Sequence, residues 1–174
     1  MEVNLDNLII RNATINDIKQ IATIKVNGWK SAYLDIINNS YLESMSINEQ
    51  VDKYTNSYSL KNVFVAVLNN EVVGFCRVYD YDKSEFEDKK IDCEIREKYI
   101  RPDIKRMGIG SILFNYVLDY FRNRNKKKLY LGVFESNYKS RKFYEKMGGT
   151  LWKDGYLEIN GIKYPTVSYV YELR

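Results

Sequence analysis

The chain has no histidine and only two cysteines among its 174 residues. The missing histidine excludes Ser-His-Asp and Cys-His catalysis, and nearly all zinc sites with them. Acid–base chemistry is left to Glu, Asp, Tyr, Lys or Cys, and no metal is expected. Cys76 and Cys93 each lie inside an apolar, strand-like run, which fits buried thiols better than a disulfide or a nucleophile. No apolar run approaches the roughly 20 residues that cross a bilayer. The opening MEVNLDNLII lacks a basic segment followed by an apolar stretch, so no signal peptide is expected and the cytoplasm is the expected location.

What is present is ordinary for a globular protein. Apolar residues make up 45% and charged residues 29%, which argues against disorder. The length fits one domain over residues 1–174, with core enough to need no disulfide. Net charge is +4, and much of the excess sits in Arg122–Lys128. A nucleic-acid face would interleave such a run with aromatics. Here it closes an apolar helix, where cations complement the dipole, so nucleic acid is not an expected partner.

Hydrophobic spacing predicts the order of elements. A first strand covers Leu8–Ala13, and Thr14 with Asp17 resembles a capping box for the helix that follows. A helical but broken pattern continues to about Leu60, with interruptions at Asn38–Ser40 and Ser44–Ser46. Strands are predicted at 63–68 and 72–79 around an Asn69-Asn70 turn. An exposed loop should cover Asp80–Lys90, and a further strand 91–100. A helix over 108–124 should bury Ile109, Ile112, Leu113, Tyr116, Val117 and Tyr120 as one stripe. A strand at 129–134 and a helix at 137–147 follow. The tail reads as three strands, around 150–152, 156–159 and 166–173, with a turn at Asn160-Gly161. This is an α/β (α+β) pattern, and its central strand–helix–strand unit makes part of the sheet parallel.

The most informative stretch is Ile100-Arg-Pro-Asp-Ile-Lys105-Arg106-Met107-Gly108-Ile109-Gly110-Ser111. A strand enters a glycine turn that opens directly into a helix, whose first amides have no internal partner and sit at the positive end of the dipole. Glycines let a bound anion come close, so the arrangement is a phosphate site. A Walker loop is absent, and Leu113 stands where a dinucleotide fingerprint needs its third glycine. Helix-start glycines without a ligand remain the plainer alternative.

The segment resembles the signature of the GNAT superfamily of N-acetyltransferases, Gln/Arg-x-x-Gly-x-Gly/Ala after a strand of the type Glu-Ile-x-x-Leu-Tyr-Val. Glu94-Ile-Arg-Glu-Lys-Tyr99-Ile100 and Lys105–Gly110 carry the likeness. Lys105 replaces the usual Gln or Arg, and Lys98 replaces a common Leu, so its side chain faces either solvent or substrate. A second run, Asn137-Tyr-Lys-Ser-Arg-Lys-Phe143-Tyr144-Glu-Lys-Met-Gly148, is similar to the family's Asn-x-x-Ala-x-x-Phe-Tyr-x-x-x-Gly. Trp29–Ile36 looks like a helix that lines the acceptor side in many members.

The resemblance implies a GNAT-like acyl-CoA N-acyltransferase fold, a central mixed sheet of about seven strands flanked by helices. It implies acetyl-CoA as co-substrate, with backbone N–H groups from about Arg106 to Ser111 on the diphosphate. Tyr99 and Ile100 would offer strand amides to the acetyl carbonyl, and Asn137 would contact the pantetheine or phosphate arm. Tyr144 would protonate the departing thiolate; the residue pattern alone equally allows a half-buried aromatic. Glu94 would be the general base, or else an ion-paired surface glutamate. The implied reaction is direct transfer to a primary amine, of a polyamine, amino acid or aminoglycoside for example. A non-catalytic acyl-CoA sensor is the alternative. Exposed tail strands make a homodimer a further expectation.

Overall fold

In the computed structural model, residues 4–84 and 86–174 are described. Seven strands form one mixed sheet in the order β1-β2-β3-β4-β5-β7-β6. They are β1 (Ile9–Asn12), β2 (Val63–Leu68), β3 (Glu71–Asp80), β4 (Ile91–Ile100), β5 (Lys128–Phe134), β6 (Thr150–Ile159) and β7 (Ile162–Glu172). The helices are α1 (Ile18–Ala32), α2 (Asn39–Ser44), α3 (Ile47–Asn56), α4 (Ile109–Asn123) and α5 (Tyr138–Lys146). Only β4 and β5 run parallel, joined by the α4 crossover; every other neighbouring pair is antiparallel.

Strand β2 shows why helices cover both faces. All six of its residues are buried. Phe64, Ala66 and Leu68 join the core under α4, while Val63, Val65 and Val67 join the core under α1 and Tyr54 of α3. Period-two alternation thus feeds two apolar layers from one continuous hydrophobic run. Asn69 and Asn70 take φ of 49° and 67°, as a two-residue hairpin with the strand twist requires. At the start of α1, the Asp17 carboxylate accepts from the Thr14 N–H and hydroxyl and receives a bidentate Arg11.

Several sequence expectations change. The tail holds two long strands rather than three, because β6 continues through Lys153–Gly155 with a bulge between Leu151 and Lys153. β6 is an edge strand and almost wholly exposed, so polar residues and a glycine do not end it. The buried stripe of α4 is Ile109, Leu113, Phe114, Val117, Leu118 and Phe121. Ile112 is exposed, and Tyr116 and Tyr120 lie at the margin against Phe64. Asn38–Ser40 starts a helix instead of interrupting one: Asn38 caps α2 and Ser46 caps α3. The 80–90 segment is only partly exposed, since Phe86 packs on Tyr81, Tyr130 and Trp152. Glu85 of that segment lies outside the described residues.

Candidate active site

The site begins where two parallel strands part. Pairing between β4 and β5 ends at Ile95–Leu131, although both strands continue, to Ile100 and Phe134. Next to that point the β3–β4 register slips at Arg77/Val78, so that Glu97 and Ile95 face consecutive β3 residues and Arg96 is the bulged residue. A bulge turns the following side chains over and increases the local twist. Glu97 therefore turns away from the α4 layer, while Lys98 turns toward it. The separation of the strands leaves one edge of β4 without a strand partner and opens a cleft of about 1050 Å³.

At one end of this cleft lies the glycine turn. Gly108 has φ of +85° and is the N-cap of α4, and Arg106 has φ of +71°. Left-handed residues alternating with right-handed ones make successive N–H groups converge, as in an anion nest. The Ser111 and Ile112 N–H groups are both given to the Gly108 carbonyl, at 3.0 and 3.1 Å. The amides of Ile109 and Gly110 have no acceptor among the described residues. The Ser111 N–H, one of the expected amides, is engaged by the Gly108 carbonyl. Lys105, Arg106, Gly108, Ile109, Gly110 and Ser111 line the cleft, whereas Met107 packs toward the α4 core. Partial desolvation and the neighbouring Lys139 lower the Lys105 pKa.

Helix α5 forms the second wall. Asn137 is its N-cap, accepting from the Ser140 N–H at 3.2 Å, and it is buried beside the cleft. Tyr144 is half-buried against Phe114, Phe143 and Tyr169. Its backbone carbonyl accepts from the Tyr171 hydroxyl at 2.7 Å, which ties α5 to β7. Burial, then the nearby Tyr33, Cys76 and Tyr171, hold the Tyr144 phenol well above its usual pKa. It is protonated throughout the physiological range. The hydroxyls of Tyr33 and Tyr99 meet at 3.3 Å, and burial raises the pKa of both. Gly28 of α1 is required there, since a β-carbon would stand 2.9 Å from the Tyr99 ring.

Glu94 lines the cleft from β4 on the face opposite Cys93 and Ile95. Its carboxylate accepts from the Tyr81 hydroxyl and, at 3.2 Å, from Arg96 Nε. It is therefore both a cleft residue and an ion-paired one. Burial, together with the Glu94 hydrogen bond, pushes the Tyr81 phenol up to about 12.

One feature escaped the sequence reading. Glu97 binds Lys25 of α1, Arg77 of β3 at 2.7 Å and the Tyr54 hydroxyl of α3 at 2.6 Å. Burial alone would raise its pKa, but the two cations and their hydrogen bonds bring it below the ordinary value. No spacing rule links residues 25, 54, 77 and 97. The direction of Lys98, left open between solvent and substrate, is into the cleft, with Nζ 4.1 Å from the Phe143 ring centre. Its mismatch with a strand motif was the available signal.

The basic run at 122–128 is engaged with acids. Arg122 pairs with Asp119, Arg124 and Lys126 with Asp80, and Lys128 with Asp88 and Glu172. Both cysteines are free and buried. Among the described residues no group of three His, Cys, Asp or Glu side chains is placed to hold a metal ion. Among the described residues no helix is long and apolar enough to cross a membrane.

A mixed sheet whose central parallel strands part over a helix N-terminus defines an acyl-CoA N-acyltransferase architecture. The chain belongs to the acetyltransferase (GNAT) family, whose sequence model matches residues 30–149. It is accordingly an N-acetyltransferase. It is 30% identical over 155 residues to the uncharacterized N-acetyltransferase YuaI of Bacillus subtilis (strain 168), covering 88% of this chain and 87% of that one. In fold it is similar to PaiA N-acetyltransferase from Thermoplasma acidophilum in complex with coenzyme A. That likeness has a TM-score of 0.67 at 19% identity, over 94% of this chain and 99% of that one. It is also similar to YncA from Salmonella typhimurium with its cofactor acetyl-CoA, with a TM-score of 0.68 at 17% identity, over 97% and 95% of the two chains.

Proposed function

We propose that the chain transfers the acetyl group of acetyl-CoA to a primary amine of a small molecule, directly, within a ternary complex in the cytoplasm. The observation that carries this is one continuous cleft. It runs from the unpaired amides of Ile109 and Gly110, between β4 and β5, to Tyr144, Tyr33 and Glu94. The residues suit the co-substrate: two free amides at a helix N-terminus and a left-handed turn for the diphosphate, and Asn137 for the pantetheine arm.

In this reading the acceptor enters from the α1 side, past Trp29, Tyr33 and Phe134. An alkylammonium must lose a proton before it attacks, and Glu94 takes that proton, directly or through water. The exposed strand edge near Tyr99 and Ile100 donates to the acetyl oxygen as charge develops there. The N–C bond forms, the C–S bond breaks, and the electron pair leaves on sulfur. Tyr144, still carrying its proton, donates it to the thiolate, and the phenol is restored by the second proton that the new amide nitrogen releases.

The test pairs acetyl-CoA titration calorimetry with an amine screen, run on the wild type and Tyr144→Phe. The expected result is acetyl-CoA binding by both proteins, with kcat lowered roughly 10²-fold in the variant. Turnover unchanged across pH in Tyr144→Phe removes the phenol from the mechanism. A protein that binds CoA and acetylates no amine is a sensor.

A further inference from the structure

Lys98 lines the cleft from β4, and its surroundings are half of an ion pair. Its Nζ lies 3.6 Å from where a β-carbon on Gly110 would stand. It is 4.1 Å from the Phe143 ring centre and 5.7 Å from that of Tyr144. The groups facing it are Cys76 from β3, paired with it across the strands, Lys105 from the turn and Tyr144 from α5. None of them is a carboxylate, and among the described residues no acid reaches it within ion-pair distance. Packing an ammonium among Ile100, Phe143 and Tyr144 without an anion is unfavourable, and the ring faces compensate only in part. A leucine or methionine would fill this space without that penalty.

We propose that the Lys98 ammonium is a second anchor for the diphosphate of the acyl-CoA, meeting it from the floor of the cleft while the Ile109 and Gly110 amides hold it from the helix. This rests on the acetyl-CoA reading above and assigns a side chain to what the turn does with backbone alone. Nζ lies beside Gly110, whose amide is one of the two without an acceptor, so an anion seated on those amides falls within the reach of a flexible lysine. Diphosphate supplies the permanent negative charge that the cation lacks, and a charge-assisted hydrogen bond is among the stronger polar contacts.

The pairing also makes binding pH-dependent. Burial, reinforced by the like charge of Lys105, lowers the Lys98 pKa to about 8 in the free protein. Bound diphosphate favours the charged form and raises that value. Affinity is therefore level below pH 8 and falls above it, because binding must then recover a proton.

Calorimetry from pH 6.5 to 9.5 with acetyl-CoA, inorganic pyrophosphate and pantetheine tests this on the wild type, Lys98→Met and Lys98→Arg. Lys98→Met should be at least as heat-stable as the wild type. It should bind acetyl-CoA and pyrophosphate roughly tenfold to a hundredfold more weakly, with pantetheine unchanged. Lys98→Arg should keep most of the affinity and lose the decline above pH 8, since arginine does not titrate there. Two results overturn the assignment: acetyl-CoA affinity unchanged in Lys98→Met, or an equal loss for pantetheine. A third, in which the bound pantetheine thiol ionises at higher pH in Lys98→Met with pyrophosphate affinity intact, moves Lys98 to the sulfur and also overturns it. A wild type that binds no CoA sinks the parent reading instead.

Discussion

Ile95 and Leu131 form the last rung between β4 and β5. Both side chains are buried under α4, so the parallel pair is held firmly up to that rung and released just beyond it. The bulge at Arg96 follows at once, and the cleft is what the release leaves open. A cleft of about 1050 Å³ thus arises inside the sheet itself.

Glu97 fixes three elements to β4, and its removal should be felt as stability. Glu97→Ala strands Lys25, Arg77 and the Tyr54 hydroxyl, and breaking a buried pair in this way costs about 3–5 kcal/mol. Because the folded pKa is depressed, the contribution is complete above the unfolded carboxylate value and is lost as pH falls through the folded one. Urea midpoints measured from pH 7 to pH 3 should decline in the wild type through this window. They should decline less in Glu97→Gln.

The two turn glycines should separate strain from space. At Gly108 a β-carbon meets nothing within 4 Å, but φ is +85°. Gly108→Ala should therefore cost about 1 kcal/mol, a melting-temperature drop of roughly 2–4 °C. At Gly110 the backbone is unstrained and the added atoms face Ile100, Lys98 and Phe143. Gly110→Val should lower acetyl-CoA affinity more than tenfold with a smaller change in melting temperature, because its methyl groups fill the cleft floor. Equal effects of the two changes on both measurements would contradict this division.

Glu94 should act on the acceptor amine alone. Glu94→Gln keeps its shape and its Tyr81 partner but cannot accept a proton. The kcat should fall roughly 10²-fold near neutral pH and partly recover in alkali, where more of the amine is already neutral. The calorimetric affinity for acetyl-CoA should not move. A variant with the wild-type pH profile would leave Glu94 as the partner of Arg96 and nothing more.

The thiols should be silent in the native protein. Burial pushes Cys76 up to about 12 and raises Cys93 further, and the thiolate is the reactive form. An aromatic disulfide reagent at pH 8 should release almost no chromophore from the folded enzyme and two equivalents after denaturation. Rapid native release of one equivalent would show that a strand opens locally.

Much of this could be read in the chain itself because it depends on local chemistry. The Gly108 turn, the Asn69-Asn70 and Asn160-Gly161 hairpins and the start of α5 at Asn137 each follow from a residue's own backbone preference or a short hydrogen bond. Glu94 facing away from Cys93 and Ile95 is simple alternation. The errors fell where neighbours decide. The α4 stripe is displaced because Ile112 faces solvent and Tyr116 meets the sheet only at its margin, against Phe64. β6 was divided in two because an edge strand tolerates a Lys-Asp-Gly sequence that an inner strand would not.

The sequence by itself determined the order of elements, the glycine turn before α4 and the family. These rest on contacts spanning a few residues and on glycine, asparagine and apolar periodicity. Only the tertiary structure decided that β4 and β5 part after Ile95, that Glu97 gathers Lys25, Tyr54 and Arg77, and that Lys98 lies beneath Gly110. Each of those depends on a register slip or on partners tens of residues away. A side chain's face, and therefore its charge environment, is known only once the strands have paired.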